Sequence, residues 1–272
     1  MSQRVYGERR QRLYAPSHGD SVAAWIVRHL DDEQVRQISA TTIRGRISDL
    51  GQFNDWCLEH GIERPGEVTR PMLERYQRQL FHARKRDGHP LSARSQAQRL
   101  IAVQVLFRWL ARRNHILYNP AADLELPRLP LRTLRDPLSL EEVQSILAQP
   151  DLKDPFGLRD RAILELFYAT GVRRIELCGL TLHDIDFSRG TLFVRQGKWK
   201  KDRFVPVGER ALAWLQKYLD EVRAHLAVDP SELGLFLNCD GRALSVMAMS
   251  PRIRSYFDAA GIVKAGACHL FR

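Results

Sequence analysis

The sequence predicts a mainly α-helical protein carrying one small β-hairpin or sheet, divided into two domains. Three observations lead there. Apolar residues recur at helical spacing from residue 21 to 110. Two short β-rich runs flank a Gly- and Lys-rich turn within 191–207. A proline-rich stretch at 119–137 separates these regions. Of the 272 residues, 44% are hydrophobic, enough to build real cores.

Residues 1–18 read as a basic, flexible leader. "SVAAWIVRHL", residues 21–30, reads as a short helix. Thr41 or Thr42 then caps a longer one, in which Ile43, Ile47, Leu50, Phe53 and Cys57 share a face and Gly61 supplies the terminating glycine. Thr69 opens a third helix with Pro71 in its first turn. After the loop "RKRDGHP", Ser92 opens a fourth, striped by Leu100, Val103, Leu106 or Phe107, and Leu110. Four amphipathic helices with short connections make a compact α-domain over residues 19–116.

Residues 117–137 form the linker, extended by the prolines of "NPAADLELPRLPLRTLRDP". The second domain, 138–272, opens on a capping box of Ser139 and Glu142, with Leu138 and Val143 placed to staple it. Helices are expected over 140–148, over "LRDRAILELFYATG" up to Gly171, and in "RRIELCGL". Strands follow at 191–195 and 203–207, then a helix over 209–226 and a last segment at 245–260. No internal repeat is present.

Charge narrows the function. Lys and Arg number 42 against 32 acids, a net charge of +10. Residues 1–130 carry 21 basic and 14 acidic side chains, and residues 131–272 carry 21 and 18. Such an excess suits a polyanion such as nucleic acid, because neutralising phosphates releases counterions. No segment is a basic tail, so a binding surface must be assembled by folding. Cys57, Cys178, Cys239 and Cys268 form no CxxC pair, which fits neither a zinc site nor a disulfide framework and suggests a reduced setting. "MSQRVYGERRQRLY" lacks the apolar core of a signal peptide, and no run approaches the length of a membrane span. The expectation is a cytoplasmic protein.

No metal-binding motif, P-loop or dinucleotide fingerprint occurs. What remains is three polar clusters: Arg173 and Arg174 after a helix end, Lys198, Lys200 and Lys201 at the hairpin tip, and His269 with Arg272. Arg grips phosphate oxygens in a fork, and Lys can protonate a leaving oxygen. Together they suit electrostatic stabilisation of a phosphoryl transition state without a metal. Singly, each has an ordinary structural reading: a solvated helix face, protection of a strand edge, a structural histidine.

In order, these stretches resemble the tyrosine recombinases, in particular the Xer-like bacterial and phage integrases. "YATGVRRIEL" matches the family's first arginine box, with Arg173 in the arginine's place and Glu176 as the acid that follows. "GKWKKDRFVPV" puts Lys198 at the hairpin lysine, with Lys200 and Lys201 still open, and "HLFR" matches HxxR as His269 and Arg272. "DPLSLEEVQSIL" and the helical region before it resemble the family's linker and core-binding domain, so the resemblance runs from about residue 20 to 272.

The resemblance implies an N-terminal core-binding (SAM-like) domain and an α+β catalytic domain that close as a clamp on double-stranded DNA. Arg173, His269 and Arg272 would hold the scissile phosphate, with Glu176 in support. Lys198 would protonate the departing 5′-oxygen as a tyrosine forms a 3′-phosphotyrosyl bond. No metal or nucleotide cofactor is implied, and the family's working unit is a tetramer of recombinase subunits on two sites.

The sequence departs from the family at one place. The family's second His or Trp and its nucleophilic tyrosine follow HxxR, whereas Tyr6, Tyr14, Tyr76, Tyr118, Tyr168, Tyr218 and Tyr256 all precede Arg272. The expectation is a catalytic domain incomplete at its C-terminus, unable to cleave DNA and with weakened subunit docking. The alternative is a non-catalytic DNA-binding remnant that occupies recombination sites or modulates a full-length recombinase. A helix-turn-helix regulator would need neither the hairpin lysine nor a terminal HxxR.

Overall fold

The structure is a computed structural model that describes residues 10–11, 13–14, 19–85, 87–130, 136–195 and 201–271. The chain divides into two compact units, residues 1–132 and 133–272.

Among the described residues, the first unit packs the helices α1 (Val22–Val35), α2 (Ala40–Glu59), α3 (Arg70–His82) and α4 (Ala93–Arg112). The apolar stripe of α2 faces inward as its spacing requires, with Ile43, Ile47, Leu50, Phe53 and Cys57 all buried. Phe53 is the hub, meeting the rings of Trp56, Tyr76 and Phe107 at 6.0, 5.2 and 6.0 Å.

Caps set the helix limits. The cap of α2 is Ser39 rather than Thr41 or Thr42, because the Ser39 hydroxyl accepts from Thr42 N at 3.2 Å and so starts the helix earlier. Ser92 caps α4 in the same way. At Gly61 (φ 67°) the end of α2 closes with Ile62 N donating to Cys57 O and Gly61 N to Leu58 O. Thr69 stands at the cap position of α3 without a side-chain capping bond. The first helix runs five residues past the expected end at residue 30.

A few apolar side chains in the two segments expected to be loose are buried. Leu13, within the leader, is buried in the helical core. At the start of the linker, Ala121 and Leu124 are buried too, while Gln104 and Gln77 donate to the carbonyls of Leu124 and Glu125 at 2.9 Å each.

The second unit contains α5 (Leu140–Leu147), α6 (Pro155–Thr170), α7 (Arg174–Cys178), β1 (Ile185–Asp186), β2 (Thr191–Val194), β3 (Arg203–Pro206), α8 (Glu209–Tyr218) and α9 (Val246–Ala259). The capping box at α5 forms, with Ser139 N donating to Glu142 Oε2 at 2.7 Å and Glu142 N to Ser139 Oγ at 3.2 Å. Helix α6 begins at Pro155 under the Asp154 cap, three residues before the stretch the periodicity marks.

The expected hairpin is the larger part of a three-stranded antiparallel sheet, order β1-β2-β3. Leu192 pairs with Ile185 on one side and Val205 on the other. Two-residue β1 is too short to leave a period-2 signal. Beyond α8 the chain widens into a π turn, Leu219–Arg223, before a last short turn, Ala224–Leu226. Arg223 is buried there, donating to Gly234 O at 2.7 and 3.0 Å and to Glu232 O at 2.7 Å. The core gathers Leu192, Val194, Phe167, Leu215, Tyr218 and Phe257 beneath α6 and α8. No helix among the described residues is long and apolar enough to cross a membrane.

Candidate phosphate-binding cleft

Helix α6 is stopped by Gly171 in the left-handed region (φ 57°), and the chain turns through buried Val172 to put Arg173 at the head of α7. Glu176, three residues on, reaches back, and Arg173 N donates to its Oε2 at 2.8 Å. A carboxylate there also meets the positive end of the helix. The Arg173 side chain closes the same loop, with Nη1 donating to Glu176 Oε1 at 2.9 Å.

A second arginine, from β3, grips that carboxylate. Arg203 Nη1 and Nη2 donate to Oε1 and Oε2 of Glu176 at 3.1 and 2.8 Å, a forked pair. The Glu176 side chain is 6% exposed, against 37% for Arg173 and 38% for Arg203. Burial by itself would raise the Glu176 pKa, but the hydrogen bonds from Arg203 and Arg173 outweigh it and hold the carboxyl down at about 2. Glu176 is therefore a fixed anion that orients two cations.

His269 comes from the other end of the unit. It lies in a 3₁₀ turn, Cys268–Phe271, whose Cys268, Leu270 and Phe271 are buried while His269 is exposed. Phe271 anchors the turn, stacked on Phe167 at 6.2 Å and edge-on to Phe257 at 5.6 Å. The approach is fixed by Arg254 of α9, which donates to the carbonyls of Lys264 (2.7 Å), Gly266 (3.0 Å) and Ile262 (3.2 Å). Lys264 in turn bonds Glu142 Oε2 at 2.6 Å and Pro137 O at 2.7 Å. Gly266 sits at φ 138°, a backbone conformation that L side chains rarely adopt, and packs closely under the His269 ring.

These parts converge. One cleft is lined by Arg173, Arg174, Ile175, Ser250, Ala267, Cys268 and His269. Of the residues the sequence singled out, Arg173, Arg174 and His269 share this cleft, and Glu176 backs Arg173. Lys198, Lys200 and Arg272 lie outside the described residues. Lys201 is described and exposed, two residues before β3. Sequence reasoning missed Arg203, Ser250, Gly266 and Arg254. The "DRFVPV" context marked the strand and not its arginine, while Ser250 joins the cleft, and Arg254 and Gly266 support the approach to its 268–271 turn, only through tertiary packing.

Among the described residues, no tyrosine lines the cleft. Tyr256 Oη donates to Asp160 Oδ2 at 2.8 Å, and burial, then the Asp160 charge, push its phenol up to about 12. Tyr218 is buried, and its hydroxyl accepts from Leu237 N at 3.1 Å. Asp160 itself is committed to structure, accepting from Arg159 Nε and Nη2 at 2.9 and 2.7 Å and from Arg252.

Residues 137–272 match the family described as the Phage integrase family, and residues 27–114 match the Phage integrase, N-terminal SAM-like domain. Tyrosine recombinase XerC 2 of Ralstonia nicotianae is 48% identical over 263 residues, covering 97% of this chain and 76% of that protein. Tyrosine recombinase XerD of Chlorobaculum tepidum is 35% identical over 241 residues, 87% of this chain and 76% of its own. Among solved structures, a lambda integrase dimer bound to a COC′ core site aligns with a TM-score of 0.67 at 21% identity, covering 92% of this chain and 86% of that one. XerH site-specific recombinase bound to palindromic difH substrate aligns at 0.68 and 17% identity, covering 98% and 81%.

Proposed function

The chain belongs to the phage integrase family of tyrosine recombinases, and from that premise we propose that it binds double-stranded DNA and holds a phosphodiester in the cleft of Arg173 and His269. The observation that carries this reading is their meeting. Two polar groups from opposite ends of the unit, one on a carboxylate-backed helix head and one on a turn with buried flanks, face the same opening.

The roles follow from chemistry. The Arg173 guanidinium, steadied by Glu176, offers N–H donors to a non-bridging phosphate oxygen, and His269 offers a second donor. Arg272 adds a third contact in this reading. Lys198 gives its proton to the 5′-oxygen as the P–O5′ bond breaks, with Lys200 and Lys201 as alternatives. A tyrosine oxygen forms the new bond to phosphorus, leaving a 3′-phosphotyrosyl link that keeps the strand rejoinable. The arrangement needs no cofactor. Its partners are duplex DNA and further recombinase subunits on paired sites, and its setting is the cytoplasm.

In this reading no tyrosine among the described residues serves the cleft. The engaged hydroxyls of Tyr256 and Tyr218, and a cleft without a phenol, support the view that residues 1–272 do not supply the nucleophile. A polypeptide of these residues then binds sites without cutting them. The test is incubation with duplex containing a nick beside the scissile position, followed by denaturing electrophoresis. The expected result is salt-sensitive binding with no covalent protein–DNA adduct. An adduct that survives denaturation and disappears with a substituted tyrosine overturns the reading of inactivity.

A further inference from the structure

We infer that Arg174 is a second phosphate-binding arginine of the cleft, taking the phosphodiester next to the one held at Arg173. The inference rests on the reading of the cleft as a DNA-phosphate site. Two adjacent arginines at the head of α7 differ in their partners. Arg173 is bonded to Glu176, which Arg203 also grips. Among the described residues, Arg174 has no carboxylate within ion-pair distance. Its Nη1 donates to the neutral hydroxyl of Ser250 on α9.

The guanidinium is therefore fixed in place and not neutralised. Ser250 ties it to α9, so Arg174 enters the cleft already ordered. An ordered cation loses little further entropy when an anion arrives. The part-buried guanidinium, held only by a hydroxyl, gains most from a partner that carries charge.

The charges around the opening indicate what that partner is. Arg173, Arg203 and Glu176 together leave one positive charge, and Arg174 adds another. No carboxylate among the described residues offsets Arg174, so a phosphodiester held by Arg173, His269 and Arg272 leaves that cation unmatched. The neighbouring phosphate of the same strand supplies the second charge, and a guanidinium fork suits its oxygens.

The test titrates duplex DNA of unrelated sequence into the wild type, Arg174→Gln, Arg174→Lys and Ser250→Ala at several salt concentrations. Arg174→Gln should bind about tenfold more weakly at low salt, with a salt slope smaller by about one phosphate contact. Arg174→Lys should keep the slope, since a point charge still neutralises a phosphate. Ser250→Ala should keep the slope and weaken binding only a few-fold. Thermal unfolding of Arg174→Gln should fall only slightly, since one hydrogen bond and no ion pair is removed. Wild-type affinity and slope in Arg174→Gln overturn the inference.

A parallel titration with inorganic phosphate follows the arginine side-chain N–H signals by nitrogen-15 NMR. A saturating shift at Arg174 supports the inference even if wild-type protein does not bind duplex, an outcome that removes the DNA reading alone. An Arg174 signal that phosphate leaves unmoved overturns it.

Discussion

Among the described residues, the helical unit buries one histidine and one acid, His29 and Glu33, whereas the second unit buries Arg159, Asp160, Glu165, Asp184 and Arg223. The helical unit is organised by rings and apolar stripes around Phe53. The second is laced by arginines that span long sequence separations. Arg159 donates to Leu237 O at 2.7 Å, Arg210 to Glu165 at 2.7 Å and Arg203 to Glu176 at 2.8 Å. Ionic bonds of this kind contribute little net stability once desolvation is counted. They fix where loops and helix heads sit, and the unit that uses them most is the one that carries the cleft.

The comparison can be broken most strongly at Phe53. Phe53→Ala should cost about 3–5 kcal/mol of helical-unit stability, because it empties a ring-lined site. Urea denaturation followed by segment-resolved hydrogen exchange would show protection lost in residues 22–112 and kept in 140–259. Equal loss in both segments would mean that the two units do not unfold separately.

Acid should separate them next. His29 is buried beside Arg46 and Trp109, and its pKa is lowered to about 4 by burial first and then by Arg46 and Arg36, against the opposing Asp32. The unfolded chain takes up that proton at the ordinary value of 6.5, so it binds more protons than the folded state at intermediate pH. Helical-unit stability is then complete above pH 6.5 and falls by on the order of 3 kcal/mol as the pH drops to about 4. Glu176 runs lower. Its contribution is complete above pH 4.5 and is lost as the pH falls toward 2. Denaturation at pH 7.5 and pH 5 should therefore weaken the helical unit alone, and His29→Leu should remove that difference. A second unit that weakens equally at pH 5 would contradict the account.

The smallest stability effect is the sharpest in function. Two buried carboxylates are each straddled by two arginines: Glu165 by Arg161 and Arg210, and Glu176 by Arg173 and Arg203. Glu165→Gln and Glu176→Gln should each cost about 2 kcal/mol, less than a fully buried pair because the arginines are partly exposed. Only Glu176→Gln should also weaken DNA binding, since only it orients a cleft arginine. Equal loss of binding in both would assign Glu176 a purely structural part.

What was legible in the sequence followed from local rules. The face of α2, the glycines at 61 and 171 and the Ser139–Glu142 box are encoded within a few residues, and each is found where the pattern puts it. Ser39 escaped because three hydroxyl residues crowd that boundary and only geometry selects one. Residues Ile185–Asp186 escaped because two residues carry no period. The cleft was half legible. Arg173, Glu176 and His269 sit in recognisable stretches, whereas Ser250 and Arg203 acquire their roles from partners 76 and 27 residues away. Side chains that reach across the fold leave no local spacing to read.

The central claim is that Arg173 holds a DNA phosphate in the cleft it shares with His269. The measurement that tests it most directly is duplex affinity against salt concentration for the wild type and Arg173→Gln. The account predicts affinity about tenfold lower for the variant at low salt, with a slope reduced by about one contact. Identical curves for the two proteins would contradict it.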